Sequence, residues 1–164
     1  MQFSLATPED NKKVLSNATK VKISLTTGIV EILDKHQDLL GKIGIDLVEV
    51  EKTDDNKVEK NKFIVQDGLV IVSNKGLNNE NQSETGVYIF GKRILELNST
   101  LSIDEFSKKV EQKSTKLETD KQALTVSIAE NNVNSDKLKT KIFLLEDELA
   151  FDKKVLSLIK EGRN

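Results

Sequence analysis

A chain of 164 residues with one His, no Cys and no Trp has room for one small domain and an appendage, and it excludes a disulfide framework, a thiol nucleophile and a Cys-based zinc site. Acid and base nearly balance, 27 Asp and Glu against 25 Lys and Arg, for a formal net charge of -2, so nothing pulls the chain toward nucleic acid or an anionic membrane. Arginine occurs only at Arg93 and Arg163, which nearly removes bidentate phosphate recognition from its repertoire.

Met1 opens into polar alternation, and no apolar run reaches signal-peptide or bilayer-spanning length. The expectation is a cytoplasmic protein without membrane insertion. Phe3 and Leu5 begin a period-two pattern that continues through Val21, Ile23 and Leu25, then Ile45, Leu47 and Val50. Residues 63–65 and 69–72 flank Gln66-Asp67-Gly68, which reads as a β-hairpin with Asp-Gly at the turn. Residues 87–90 and 94–97 complete the series. Short β-branched runs separated by turn chemistry predict a sandwich or barrel, and an antiparallel β-sandwich over residues 1–100 is the expectation. The polar segments 53–61 and 73–86 are expected to be solvated hairpin tips.

Beyond Gly91 the composition changes: residues 92–161 hold neither Gly nor Pro, which marks a second architecture. Ser102 and Glu105 have the spacing of a capping box. Ile103, Phe106, Val110, Leu117, Leu124 and Ile128 form a thin apolar stripe whose seam positions Lys113, Asp120 and Ser127 are polar. After Asn131-Asn132-Val133-Asn134, Ser135 is expected to cap a second helix with a tighter stripe, Leu138, Ile142, Leu145, Leu149, Leu156 and Ile159, broken only at Asp152. The prediction is an antiparallel two-helix hairpin over residues 101–164, each helix about 40 Å long. Its incomplete seam should lean on another surface.

Candidate chemistry is sparse. Gly86-Val87-Tyr88-Ile89-Phe90-Gly91-Lys92 has the spacing of a phosphate-binding loop, but Arg93 stands where a hydroxyl should hold magnesium. The β-branched and aromatic interior favours a strand. His36 has no partners at ligand spacing. Asp54-Asp55-Asn56 lacks the Gly and distal Glu of a calcium loop and reads as a turn. Glu146-Asp147-Glu148 reads as an exposed helix face. The expectation is a non-catalytic protein with no cofactor and no metal.

Two segments carry a family resemblance. Residues 63–72, Phe-Ile-Val-Gln-Asp-Gly-Leu-Val-Ile-Val, look like a hairpin reading Phe-Tyr-Val-Ser-Gly-Gly-Phe-Leu-Glu-Val. Residues 30–40, Val-Glu-Ile-Leu-Asp-Lys-His-Gln-Asp-Leu-Leu, look like Leu-Gly-Ile-Leu-Pro-Asn-His-Ala-Pro-Leu-Leu. With the order of strands and helical tail, the chain resembles the epsilon subunit of rotary ATP synthases. That resemblance implies a rotor subunit bound to a gamma-like stalk subunit and the catalytic head, peripheral to the inner face of the cell membrane. It also implies partner contacts at His36, Leu39 and Leu40. Glu31, Asp34 and Asp38 replace a Gly and two Pro of the family pattern; loss of the prolines should loosen this loop, and contact with a membrane ring is left open. The family's ATP-binding motif, Ile/Leu-Asp-x-x-Arg-Ala, lacks its Arg and Ala in Ile103-Asp104-Glu105-Phe106-Ser107-Lys108. The alternative from another class is a coiled-coil scaffold or chaperone-like binding module.

Overall fold

Alternation places Phe3 and Leu5, Val21 and Ile23, Val48 and Val50, Phe63 and Val65, and Val87 and Ile89 on the inner faces of their strands, each at most 2% exposed. Each such side chain contributes about 1.5–3 kcal/mol relative to leaving it in water. The computed structural model describes residues 1–9, 12–54, 57–75, 84–98, 100–129 and 134–162. It divides into two compact units, Met1–Asn98 and Ser99–Asn164.

Among the described residues the first unit holds eight strands: β1 (Gln2–Ala6), β2 (Lys12–Leu15), β3 (Ala18–Leu25), β4 (Gly28–Leu33), β5 (Leu39–Asp54), β6 (Lys57–Ser73), β7 (Gly86–Phe90) and β8 (Arg93–Leu97). They form one sheet in the order β2-β1-β7-β6-β5-β3-β4, with β8 also on β6. All pairs are antiparallel except β1 with β7, which is parallel. The expected sandwich therefore stands as β followed by α, but on a mixed rather than a wholly antiparallel sheet.

The expected hairpin at Asp67-Gly68 does not form. β6 runs straight through it, pairing with β5 in unbroken register from Leu39↔Val72 to Asp54↔Lys57. Residues 63–72 are one bent strand. Before the bend Phe63 and Val65 point into the core; after it Val70 and Val72 do, so the inward phase flips. Asp67 supplies the flip with a left-handed φ of 49°, a conformation Asp tolerates better than most residues. The neighbours flip at the same level, β5 between Ile43 and Val48 and the β7–β8 run between Ile89 and Ile94. β6 accordingly pairs with β8 through residues 62–66 and with β7 through residues 69–73.

Gly68 and Gly91 sit at this bend because a Cβ on either would come within 2.7 or 2.8 Å of Val65 Cγ1. The sheet folds over along that line, and Phe3 of β1 stacks on Phe63 of β6 with ring centroids 6.0 Å apart. At the rim, Lys13 Nζ of β2 lies 2.6 Å from Glu96 of β8 and 5.1 Å from the Phe63 ring centroid. Asp55 and Asn56 at the β5–β6 tip, residues 76–83 of the polar connection, and residues 131–133 lie outside the described residues.

The second unit is α1 (Ile103–Ala129) and α2 (Ser135–Glu161). Ser102 Oγ accepts the Glu105 amide at 3.4 Å, the forward half of the expected capping box. Asn134, not Ser135, is the N-cap of α2, and it makes no side-chain capping bond. Its carbonyl already accepts the Leu138 amide at 3.1 Å, which puts Ser135 inside the helix. Phe106, Ile142, Leu145 and Leu149 are buried as the stripes predict. Two of the three polar seam residues of α1, Lys113 and Asp120, find partners on α2. Lys113 Nζ meets Asp152 at 2.6 Å and Glu148 at 3.0 Å, and Lys141 Nζ meets Asp120 at 2.8 Å. The interruptions at Lys113 and Asp152 complement one another, whereas Ser127 Oγ is buried without a hydrogen-bond partner. Phe151 and Val155, one turn apart and outside the expected stripe, are also buried.

Candidate functional site

Residues 34–38 join β4 to β5, and hydrogen bonds hold them where prolines were expected to be missed. Thr85, 1% exposed, accepts the Lys35 amide on Oγ1 at 2.7 Å and donates the same hydroxyl to Asn74 Oδ1 at 2.7 Å. Asn74 Nδ2 donates to the His36 carbonyl at 2.7 Å, and the Asn74 amide donates to Asp38 Oδ1 at 3.1 Å. The Thr85 amide bonding to Asp34 holds that carboxyl below the usual aspartate range. Lys35 closes the turn with a φ of 61°. The two Asp residues thus accept hydrogen bonds at the positions where the family pattern has prolines.

Of the three predicted contact residues, His36 is half-buried with Nδ1 2.7 Å from the Gln37 carbonyl oxygen. Leu39 packs against the core. Leu40, the next residue along β5, points the other way and is 73% exposed. The structure gives Leu39 a packing role and leaves Leu40 as the outward side chain of the three.

Leu40 does not stand alone. It pairs with Ile71, Ile71 with Tyr88, Tyr88 with Ser4 and Ser4 with Val14, one cross-strand row on the outer face. The adjoining row runs from Lys42 through Leu69 and Phe90 to Ala6. Leu69 and Phe90 are each 43% exposed and Val14 46%. Tyr88 lies flat along its strand over Gly86, where a Cβ would stand 2.5 Å from its hydroxyl. Aliphatic and aromatic residues in register across neighbouring strands support one another, and here Leu40, Ile71, Leu69, Phe90 and Val14 make an apolar outer surface interrupted by Lys42 and by Ser4 and Tyr88, each 7% exposed.

The outer face beyond the bend is the opposite in character. Glu31, Lys22, Glu49 and Lys62 alternate across β4, β3, β5 and β6, and Lys20, Glu51 and Lys60 form the next row. Lys60 reaches Glu51 at 2.9 Å, Lys20 reaches Glu31 at 3.0 Å and Lys62 reaches Glu49 at 3.5 Å. Such exposed pairs add little stability each and give these two rows a charged surface, while nearer the bend on the same face Ile64 and Gln66 are buried.

The apparent phosphate loop is β7 plus the bend. The Gly91 amide donates to the Ala6 carbonyl at 3.0 Å and the Lys92 amide to Gln66 at 2.9 Å, so amides that would cradle a phosphate serve the sheet. Glu146 and Glu148 lie on a solvent-facing side of the helix, 46% and 43% exposed at the side chain, and pair there with Lys121 and Lys113 at 2.6 and 3.0 Å. Among the described residues no three His, Asp or Glu side chains converge in a metal-binding arrangement, and no helix is long and apolar enough to cross a membrane.

No protein-family model matches the sequence, and no curated protein matches it. Solved structures do. A chain of the Euglena gracilis mitochondrial ATP synthase, OSCP/F1/c-ring in rotational state 1, aligns over 96% of this chain and 79% of its own length, with 11% identity and a TM-score of 0.54. The two chains share a fold. A chain of the Tetrahymena thermophila mitochondrial ATP synthase central stalk/c-ring structure aligns at 14% identity over 58% of this chain, with a TM-score of 0.44. That match spans 65% of the Tetrahymena chain, less than two thirds of its length.

The sequence pattern counts Leu69, Ile71 and Phe90 among the core residues of the strand domain, but the structure turns them outward and seats Val70, Val72, Val87 and Ile89 in the core instead. A signal was present: residues 69–72 and 87–90 are apolar at every position, a pattern expected of strands with both faces covered rather than one.

Proposed function

We propose that this chain is a non-catalytic stalk subunit of a rotary ATPase, of the epsilon type, held by a gamma-like subunit and the catalytic head. The observation that carries this reading is the fold shared with an ATP synthase chain along 96% of the sequence. It is supported by the resemblance of residues 30–40 and 63–72 to epsilon segments. The outer face of Leu40, Leu69, Ile71 and Phe90 offers the apolar surface that a stable protein contact needs. Leu40 makes the contact, while His36 and Leu39 fix the loop and strand that present it. The subunit sits peripherally at the membrane through its complex and performs no chemistry itself.

The test is purification of the tagged native protein under gentle lysis, followed by mass spectrometry. ATPase head and stalk subunits in fixed proportion are expected. Leu40→Asp, at an exposed position, should leave the melting temperature unchanged and reduce their recovery. A free monomer, or recovery with unrelated clients as a scaffold or chaperone would give, overturns the reading.

A further inference from the structure

The apolar seam of the helical hairpin does not define one alignment by itself. Leu138, Ile142, Leu145, Leu149, Leu156 and Ile159 recur in steps of four and three, and such a repeat looks the same after every heptad. Sliding one helix by a heptad shifts the turn by only about four residues along the chain, so connection length alone does not forbid it. Something else selects the register.

We propose that the charged residues inside this seam are a register lock, a pattern that one alignment of α1 on α2 satisfies and its heptad neighbours violate. In the observed alignment Lys113 lies between Asp152 and Glu148, at 2.6 and 3.0 Å. Asp120 takes Lys141 at 2.8 Å, and Lys121 takes Glu146 at 2.6 Å. Asp120 and Asp152 are each 8% exposed, so solvent screens little of what they feel. A heptad slip in one direction places Asp152 opposite Asp120 and Ile159 opposite Lys113. A slip in the other places Asp152 opposite Phe106 and Leu145 opposite Lys113. The first sets like charges against each other in a dry seam, and the second buries both charges against hydrocarbon.

The lock has a cost that identifies it as a specificity device. Asp120 Oδ2 and Ser127 Oγ are buried without a hydrogen-bond partner, and buried ion pairs are often no more stabilising than well-packed apolar residues. Their recognised use at helix-pair seams is to fix register.

The chain contains no Cys, so introduced pairs report alignment without background. In the full-length protein, Leu117→Cys with Leu149→Cys reads the observed register, and Leu117→Cys with Leu156→Cys reads the slipped one. The first pair should oxidise at least about tenfold faster than the second. The combination Lys113→Leu with Asp120→Lys rewrites the pattern so that the slipped alignment pairs residue 120 with Asp152, and it should invert that ratio. Replacing Lys113, Asp120 and Asp152 together by Leu should retain helicity yet let both pairs oxidise at similar rates. Preference for the 117/149 pair in either variant equal to that of the unaltered seam overturns the proposal, as does equal oxidation of both pairs in the unaltered seam.

Discussion

Arg93 donates from Nη1 to Gln66 Oε1 at 2.8 Å, across the pair of strands that turns the sheet from one layer to the other. Gln66 is 1% exposed, and its carbonyl accepts the Lys92 amide at 2.9 Å. A polar side chain is thus held inside the bend by the strand it faces. Gln66→Leu removes the acceptor and leaves the guanidinium short of one bond, a loss of about 1–3 kcal/mol. Urea melts should show that loss, and Gln66→Glu, which keeps an acceptor for Arg93, should lose less.

The bend also has no room for methyl groups. Gly68→Ala and Gly91→Ala each drive a Cβ against Val65 Cγ1, and overpacking of this kind costs about 1–3 kcal/mol. Because both meet the same methyl, Val65→Ala should reduce the cost of either glycine substitution. A double-mutant cycle by thermal denaturation measures that coupling, which is absent for residues that do not touch.

The loop before β5 contributes an acid-sensitive contact. The Thr85 amide lowers the pKa of Asp34 below its ordinary value of 3.8. A carboxyl whose folded pKa is depressed stabilises the fold above the unfolded pKa and loses that contribution as pH falls through the folded one. The effect therefore lies below about pH 4. Asp34→Asn should melt lower than the parent at pH 7, with the difference shrinking toward pH 2. A constant difference across that range would assign the effect to shape rather than charge.

The strand unit should fold without the helices. Its core cluster, with Ile94 packed against it, draws on residues of this unit, and a set of that kind offsets chain entropy only when packed together. A fragment of residues 1–98 is expected to give a strand-type circular dichroism spectrum and one cooperative melt. The hairpin fragment 99–164, with ion pairs in place of part of its apolar seam, should melt broadly.

The chain should not bind ATP through its apparent phosphate loop. The Gly91 and Lys92 amides are committed to Ala6 and Gln66, and Arg93 bonds to Gln66. Calorimetry with Mg-ATP should show no heat of binding beyond dilution, for the parent and for Lys92→Ala alike.

Local pattern made part of the core legible, because Val21 and Ile23 alternate with polar neighbours and strand period alone assigns them. Asp67-Gly68 was misread because a hairpin turn and a left-handed bend within a strand ask for the same residues. What separates the two is whether residues 62–66 pair with 69–73 or with β8 and β7, and that is decided by distant partners. Lys113 and Asp152 were each readable as a fault in a stripe. Only an antiparallel register shows that the faults meet. Leu40 was singled out through resemblance, whereas the outward placing of Leu69 and Phe90 beside it depends on the neighbouring strands.

The parallel pairing of β1 with β7 carries a consequence for the order in which the chain assembles. Phe3 pairs with Leu15 on one side and with Val87 on the other. The β5–β6 ladder, by contrast, closes around a tip between Asp54 and Lys57, and contacts so near in sequence form early because little loop entropy is lost. β1 can zip to β2 at once, but it acquires its inner neighbour only after β7 has been laid on β6. During synthesis β1 thus emerges well before the inner neighbour that seats it. Until then Phe3 and Leu5 remain outside the core that they complete.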